Sequence, residues 1–169
     1  MSSEKFNIPE FAKFSKEDIQ TIFNKFDPNK TGYVRRDGLR DCLFYYFGVT
    51  KESENYLELL DFVKMLFNLA DGNGIFNSHD SRLNIREFTQ IISLLPKKFS
   101  SPKKSLIRMI FLMIDTNKSG FIRKSEFKRF IDKTDLRMNS DQIKERMAEM
   151  DLNDDGKISI DEFLAYYGL

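Results

Sequence analysis

The sequence predicts an all-α fold of two lobes, each a pair of helix-loop-helix units, and three observations carry that expectation. Apolar residues recur at three- and four-residue spacing over most of the chain, which gathers them on helical faces. Strand-like runs are confined to three-residue scraps, Phe121-Ile122-Arg123 and Lys157-Ile158-Ser159. An acidic turn between such helices occurs at Asp115 and again 36 residues later at Asp151, so the chain repeats a unit.

The elements follow in order. Ser15 with Asp18 is an acidic variant of the capping box and starts a helix whose face carries Ile19, Ile22, Phe23 and Phe26. Leu39, Cys42, Leu43 and Phe47 mark a second apolar helical stretch. A longer helix is expected from about Ser53 to Ala70, with apolar residues on too wide a surface to face solvent. Residues 96–104 hold two prolines, two serines and four lysines, the composition of a linker. Ser101 then Pro102 reads as N-cap and first helical residue of the stretch through Ile114. Asn139 or Ser140 begins the helix of Ile143, Met147 and Met150. The expected organisation is a tail over 1–14, a first lobe over 15–95, the linker over 96–104 and a second lobe over 105–169.

Composition narrows the function classes. The chain has 169 residues, 41% hydrophobic and 31% charged, with 17 Phe, which argues against disorder and low complexity. A formal charge of +1, divided as −2 over 1–95 and +3 over 96–169, argues against a polycation acting on nucleic acid or membrane. Cys42 has no partner for a disulfide, and with His79 as the lone histidine there is no zinc cluster and no Cys-His nucleophile. A reducing, cytoplasmic setting is expected. The start shows neither a signal-peptide core nor Gly at residue 2, and Tyr166 stands where a prenylation signal needs Cys, so no membrane anchor is expected.

The repeat carries the chemistry. Asp115-Thr116-Asn117-Lys118-Ser119-Gly120-Phe121-Ile122-Arg123-Lys124-Ser125-Glu126 and Asp151-Leu152-Asn153-Asp154-Asp155-Gly156-Lys157-Ile158-Ser159-Ile160-Asp161-Glu162 place oxygen-bearing residues at alternate positions and close on Glu. A hard cation takes six to eight oxygens, and alternate residues of a tight loop can supply them. Both segments resemble the EF-hand calcium loop. The resemblance implies Asp115, Asn117, Ser119, the Phe121 carbonyl and Glu126 as one ligand set. It implies Asp151, Asn153, Asp155, the Lys157 carbonyl and Glu162 as another, hence two Ca2+ sites. The ninth position is Arg123 in one loop and Ser159 in the other. Side-chain ligand charge is −2 in the first of these loops and −3 in the second, so the second is expected to bind tighter.

The first half repeats the pattern with altered chemistry. Asp27-Pro28-Asn29-Lys30-Thr31-Gly32-Tyr33-Val34 follows the loop through its eighth residue, with Asp27, Asn29 and Thr31 as candidate ligands, but Gly38 stands where Glu is needed. A structural hand without metal is expected there. From Asp71 to Glu87 is 17 residues, too many for a regular loop, although Asp71, Asn73, Asp80 and Glu87 could form an irregular site. The ending Leu83-Asn84-Ile85-Arg86-Glu87-Phe88 matches Ile158 to Phe163 position by position.

Over roughly residues 15–167 the chain therefore resembles the four-hand EF-hand superfamily, in the manner of calmodulin or the regulatory subunit of calcineurin. What this implies is calcium control of how far the helices of a lobe open. Five of seven methionines fall in the second half, and Met109, Met113, Met147 and Met150 are candidates to line a groove for an amphipathic target helix. The competing reading is that they are core. A calcium sensor is expected, with a buffer and a constitutive structural or regulatory subunit as alternatives. No enzymatic constellation and no nucleic-acid site is expected.

Overall fold

The computed structural model describes residues 12–71, 81–134 and 136–169. Eight helices form among the described residues. The first is α1 (Lys16–Phe26), set by the Ser15 and Asp18 capping box: Ser15 Oγ accepts from the Asp18 N–H at 3.0 Å and Asp18 accepts from the Ser15 N–H at 2.8 Å. Next, α2 (Arg36–Phe47) ends on Gly48, whose φ of 65° lies in the left-handed region that favours glycine. Asn55, at φ 61°, delays α3 to Tyr56–Ala70, three residues after the expected Ser53 start. A capping box at Asn84 begins α4 (Ile85–Ile92).

In the second half, Ser101 caps α5 (Pro102–Ile114) and Pro102 occupies the first helical position, as the sequence predicts. Residues 102–104 of the expected linker are thus helical. The strand β1 (Phe121–Arg123) leads into α6 (Lys124–Lys133). Asn139 caps α7 (Ser140–Met150), and β2 (Lys157–Ser159) leads into α8 (Ile160–Tyr166). Among the described residues no helix is long and apolar enough to cross a membrane.

The repeat explains the core. Val34, Leu83, Ile122 and Ile158 hold the eighth position of their loops or the place matching it, and all are fully buried. Ile122 faces Ile158 across the antiparallel β1-β2 pair. Val34 and Leu83 form the same bridge in miniature, each N–H 2.8 Å from the other's carbonyl oxygen. Immediately after the closing loop position stand Leu39, Phe88, Phe127 and Phe163, each at most 1% exposed. Burying a side chain of this size contributes about 1.5–3 kcal/mol.

The halves are packed together. The α3 helix lies along α5. Lys103 Nζ meets Glu58 Oε1 at 3.0 Å, and Phe62 of α3 meets Tyr167 edge-on at 5.4 Å between ring centres. The connection between halves is anchored: Leu95 and Pro96 are buried, the Tyr46 hydroxyl donates to the Pro96 carbonyl at 2.6 Å, and the Ala12 N–H donates to the Leu95 carbonyl at 2.8 Å.

Candidate metal centres

Three loops share one backbone turn. Lys30, Lys118 and Asp154 have φ of 52°, 55° and 57°, and Gly32, Gly120 and Gly156 each have φ of 81°. The turn aims consecutive N–H groups at the carboxylate that opens the loop. Gly32, Gly120 and Gly156 donate to Asp27, Asp115 and Asp151 at 2.7, 2.8 and 2.7 Å. Thr31, Ser119 and Asp155 donate to the other oxygen of the same carboxylates at 2.9, 2.9 and 3.1 Å. Each Asp151 oxygen retains a second lone pair for a cation, whereas Asp27 Oδ1 also accepts from the Thr31 hydroxyl at 2.8 Å.

The third loop in chain order, Asp115 to Glu126, gathers its expected ligands. The Ser119 hydroxyl lies 3.4 Å from Asp115 Oδ1 and donates to the Phe121 carbonyl at 3.0 Å, while Asn117 Oδ1 accepts from the Ser119 N–H at 2.9 Å. Glu126 returns across the loop: Oε1 accepts from the Thr116 and Asn117 N–H groups at 3.1 and 3.4 Å, and Oε2 from the Arg123 N–H at 3.1 Å. The fourth loop follows the same plan. Asn153 Oδ1 accepts from the Asp155 N–H at 3.0 Å, and Asp155 Oδ1 from the Lys157 N–H at 3.1 Å. Glu162 reaches the Leu152 N–H at 3.1 Å, the Ser159 N–H at 2.8 Å and the Ser159 hydroxyl at 2.7 Å. Ser159, the ninth residue, thus positions the Glu162 carboxylate. Burial raises the Glu162 carboxyl, but the hydrogen bonds from Ser159, Leu152 and Asn153 outweigh it and hold its pKa below the usual value.

These residues fit a cation. Asp115, Glu126 and Glu162 are 3%, 7% and 7% exposed, and burying a carboxylate is costly without a counter-charge. Their partners are the N–H and hydroxyl groups named above, and among the described residues no Lys or Arg side chain pairs with any of the three. Among the described residues no three acidic, His or Cys side chains converge closely enough to hold a metal unaided. The loops therefore depend on their Asn, Ser and main-chain oxygens as well.

The first loop does not offer this set. Asp27 holds the same turn, its carboxyl raised by burial yet lowered overall by hydrogen bonds from Thr31, Gly32 and Tyr33. The closing position is not merely vacant of Glu. A Cβ on Gly38 would stand 3.0 Å from Val34 Cγ1 and 3.1 Å from the Phe26 carbonyl oxygen, so the start of α2 has closed onto α1. Gly38→Glu is therefore expected to leave calcium stoichiometry unchanged and to lower stability by about 1–3 kcal/mol, as calorimetric titration and urea unfolding would measure.

Asn73, Asp80 and His79 lie outside the described residues. Asp71 and Glu87 are both buried. Asp71 Oδ2 accepts from the Ser81 N–H at 3.2 Å, and Glu87 accepts from the Asn84 N–H at 2.9 Å, the same capping bond that Glu126 and Glu162 accept from Arg123 and Ser159. Here a protein cation is close. Lys133, at the end of α6, donates to the Leu69 carbonyl at 3.2 Å. Burial and Arg129 lower the Lys133 pKa, while Asp71 and Glu87 act against that shift. Sequence reading missed Lys133 because it belongs to the other half, 46 residues beyond Glu87, and no local motif marks it. Lys133→Met is expected to cost about 1 kcal/mol in chelator, since the group is half-buried and partly screened; a urea midpoint equal to wild type would contradict this.

Thr116 and Arg129 were also silent in the sequence. Thr116 donates to Glu126 through its main chain, its hydroxyl lies 3.3 Å from Glu126 Oε1, and Arg129 donates to that hydroxyl at 2.6 Å. Met109, Met147 and Met150 are buried and Met113 is half-buried, so they contribute to the core of this structure. Cys42 is buried and its thiol is pushed up to about 12 by burial, which removes it as a nucleophile.

Comparison with known proteins agrees with the loop geometry. Residues 103–168 match a family described as an EF-hand domain pair, and residues 7–46 match a second family of the same description. The chain belongs to the EF-hand superfamily. An EF-hand pair implies Ca2+ as its metal. The chain is 25% identical to putative calmodulin-like protein 6 of Oryza sativa subsp. japonica, over 86% of this chain and 79% of that protein. It is 25% identical to troponin C of Tyrophagus putrescentiae, over 90% of this chain and 94% of that protein. It is 27% identical to calcium-dependent protein kinase 3 of Oryza sativa subsp. japonica over 88% of this chain, but this covers only 24% of the kinase.

Proposed function

We propose that this EF-hand protein is a cytoplasmic calcium sensor whose third and fourth hands take up the metal, while the first two serve as structure. The observation that carries this reading is the set of buried carboxylates, Asp115, Glu126 and Glu162, with no Lys or Arg paired to them among the described residues. The Asp115 set and the Asp151 set would each hold one ion, which supplies the positive charge that these anions lack.

The chain's own residues link the loops to the helices. Glu126 and Glu162 are each the third residue of a helix, α6 and α8, so any movement of the carboxylate bears on the helix start. The β1-β2 bridge joins the two loops through Ile122 and Ile158. Helices α5 and α7 carry Met109, Met113, Met147 and Met150 and are the elements whose separation would expose them to an amphipathic target helix. The calmodulin-like and troponin C relatives favour a sensor.

The test is a calcium titration in a physiological magnesium background, read with a dye that fluoresces on exposed apolar surface. A saturable rise, abolished by Glu162→Gln, is the expected result. Metal binding without a dye response would replace the sensor by a buffer or a permanently clamped subunit, and no binding would overturn the assignment of both loops.

A further inference from the structure

A second surface lies at the junction of the halves, away from the metal loops. It is a groove of about 290 Å3 between residues 94–100 and the first three turns of α5. Its floor is apolar, formed by Leu94, Phe99, Met109 and Leu112, and its rim carries Lys98, Lys104 and Arg108. Among the described residues no carboxylate lines it. Among the described residues neither Lys98 nor Lys104 is paired with an acidic side chain, and the positive end of the α5 dipole lies beside them.

The wall is built rather than loose. Phe99, though 42% exposed, meets the ring of Phe47 edge-on at 4.9 Å and that of Tyr46 at 6.1 Å between centres. Tyr46 in turn holds the Pro96 carbonyl at 2.6 Å. A segment that composition alone marks as a solvated basic linker is thus fastened onto α2, and its aromatic side chain is presented at a fixed place. Preorganisation of this kind reduces the ordering cost of binding.

We propose that this groove is a calcium-independent docking site for an acidic amphipathic segment of a partner protein. The segment's apolar side chains would lie on Leu94, Phe99 and Leu112, and its carboxylates on Lys98 and Lys104. Charge selects the occupant, because basic groups on a uniformly cationic rim cost free energy while carboxylates gain it. A membrane surface fits less well: recognition of anionic lipid by charge takes clusters of four to eight basic residues, whereas the groove presents Lys98, Lys104 and Arg108, and the adjoining Lys103 is paired with Glu58 at 3.0 Å. None of the groove residues is a loop ligand, and the charged contacts Lys98 and Lys104 lie before α5 and in its first turn, at the opposite end of that helix from the third loop.

The experiment titrates the full chain into two labelled helical peptides with identical Leu and Phe positions, one bearing Glu at all polar sites and the other Lys. Anisotropy is read in chelator and in calcium at two salt concentrations, with phosphatidylserine vesicles pelleted in parallel. The Glu peptide is expected to bind at least tenfold tighter than the Lys peptide, equally with and without calcium, and more weakly at high salt. Lys98→Glu with Lys104→Glu is expected to reduce that binding at least tenfold while the circular dichroism and the calcium titration stay as in wild type. Phe99→Ala is expected to weaken it with retention of salt dependence. The proposal is overturned by no binding, by equal binding of both peptides, by indifference to the double reversal, by binding only in calcium, or by retention on vesicles alone. Because the calcium titration is read separately, failure here leaves the calcium assignment untouched, and the reverse also holds.

Discussion

Glu162→Gln is expected to weaken calcium binding at the fourth loop by at least about tenfold, some 1.4 kcal/mol. The substitution keeps the volume of the side chain, which is 7% exposed and packed at the start of α8. It removes one unit of negative charge, reducing the side-chain ligand charge of that loop from −3 to −2, and charge count is a principal determinant of affinity in these loops. It also replaces one acceptor oxygen by an NH2 group. In the native arrangement both carboxylate oxygens accept, one from Leu152 and the other from the N–H and hydroxyl of Ser159. A carboxamide cannot satisfy all of these donors, so the side chain loses part of its positioning as well as its charge. The corresponding Glu126→Gln change acts on a loop with less charge and is expected to have the smaller effect on overall affinity. Calorimetric titration of both variants would rank the loops; a larger loss from Glu126→Gln would contradict the expectation that the fourth loop is the tighter.

Phe62→Ala is expected to destabilise the whole molecule by about 3–5 kcal/mol, and in a single transition. Phe62 belongs to α3 of the first half yet is only 2% exposed and meets Tyr167 at the end of the second half at 5.4 Å between ring centres. Tyr167 continues the contact to Phe163 at 5.3 Å, and Phe163 to Phe111 of α5 at 5.7 Å. Burial pushes the Tyr167 phenol up to about 12. Truncating Phe62 opens a cavity against Tyr167, so both halves lose packing together. Urea unfolding followed by tyrosine fluorescence and by far-ultraviolet circular dichroism should give coincident curves in wild type and in the variant. Two separated transitions, with only the first shifted, would show that the halves fold independently.

The helices and second-half loops were legible because their signals are local. Ser15 with Asp18, Ser101 with Pro102 and Asn139 each act within one turn of chain, and the structure uses them as caps. The residues proposed as ligands in the third and fourth loops lie within 12 consecutive positions, and the shared turn at Gly120 and Gly156 brings several of them together through hydrogen bonds. What the sequence did not disclose depends on contacts between distant segments. The approach of Lys133 to the second hand, the ring contacts of Phe99 on α2 and the seam of α3 with α5 each join residues far apart in the chain. Residues 96–104 illustrate the difference: composition marks a tether, whereas Tyr46 and Phe47, some 50 residues earlier, fasten it. Gly38 is a second case, since its cost is set by the nearness of Val34 and the Phe26 carbonyl rather than by the missing Glu alone.

The central claim is that the metal chemistry resides in the third and fourth hands, and calcium stoichiometry measured calorimetrically in physiological magnesium tests it most directly. Two ions per chain are expected, falling to one in Glu162→Gln as its weakened site leaves the measurable range. Three or four ions, or two that persist unchanged when both Glu126 and Glu162 are replaced by Gln, would contradict it and return the binding to the first half.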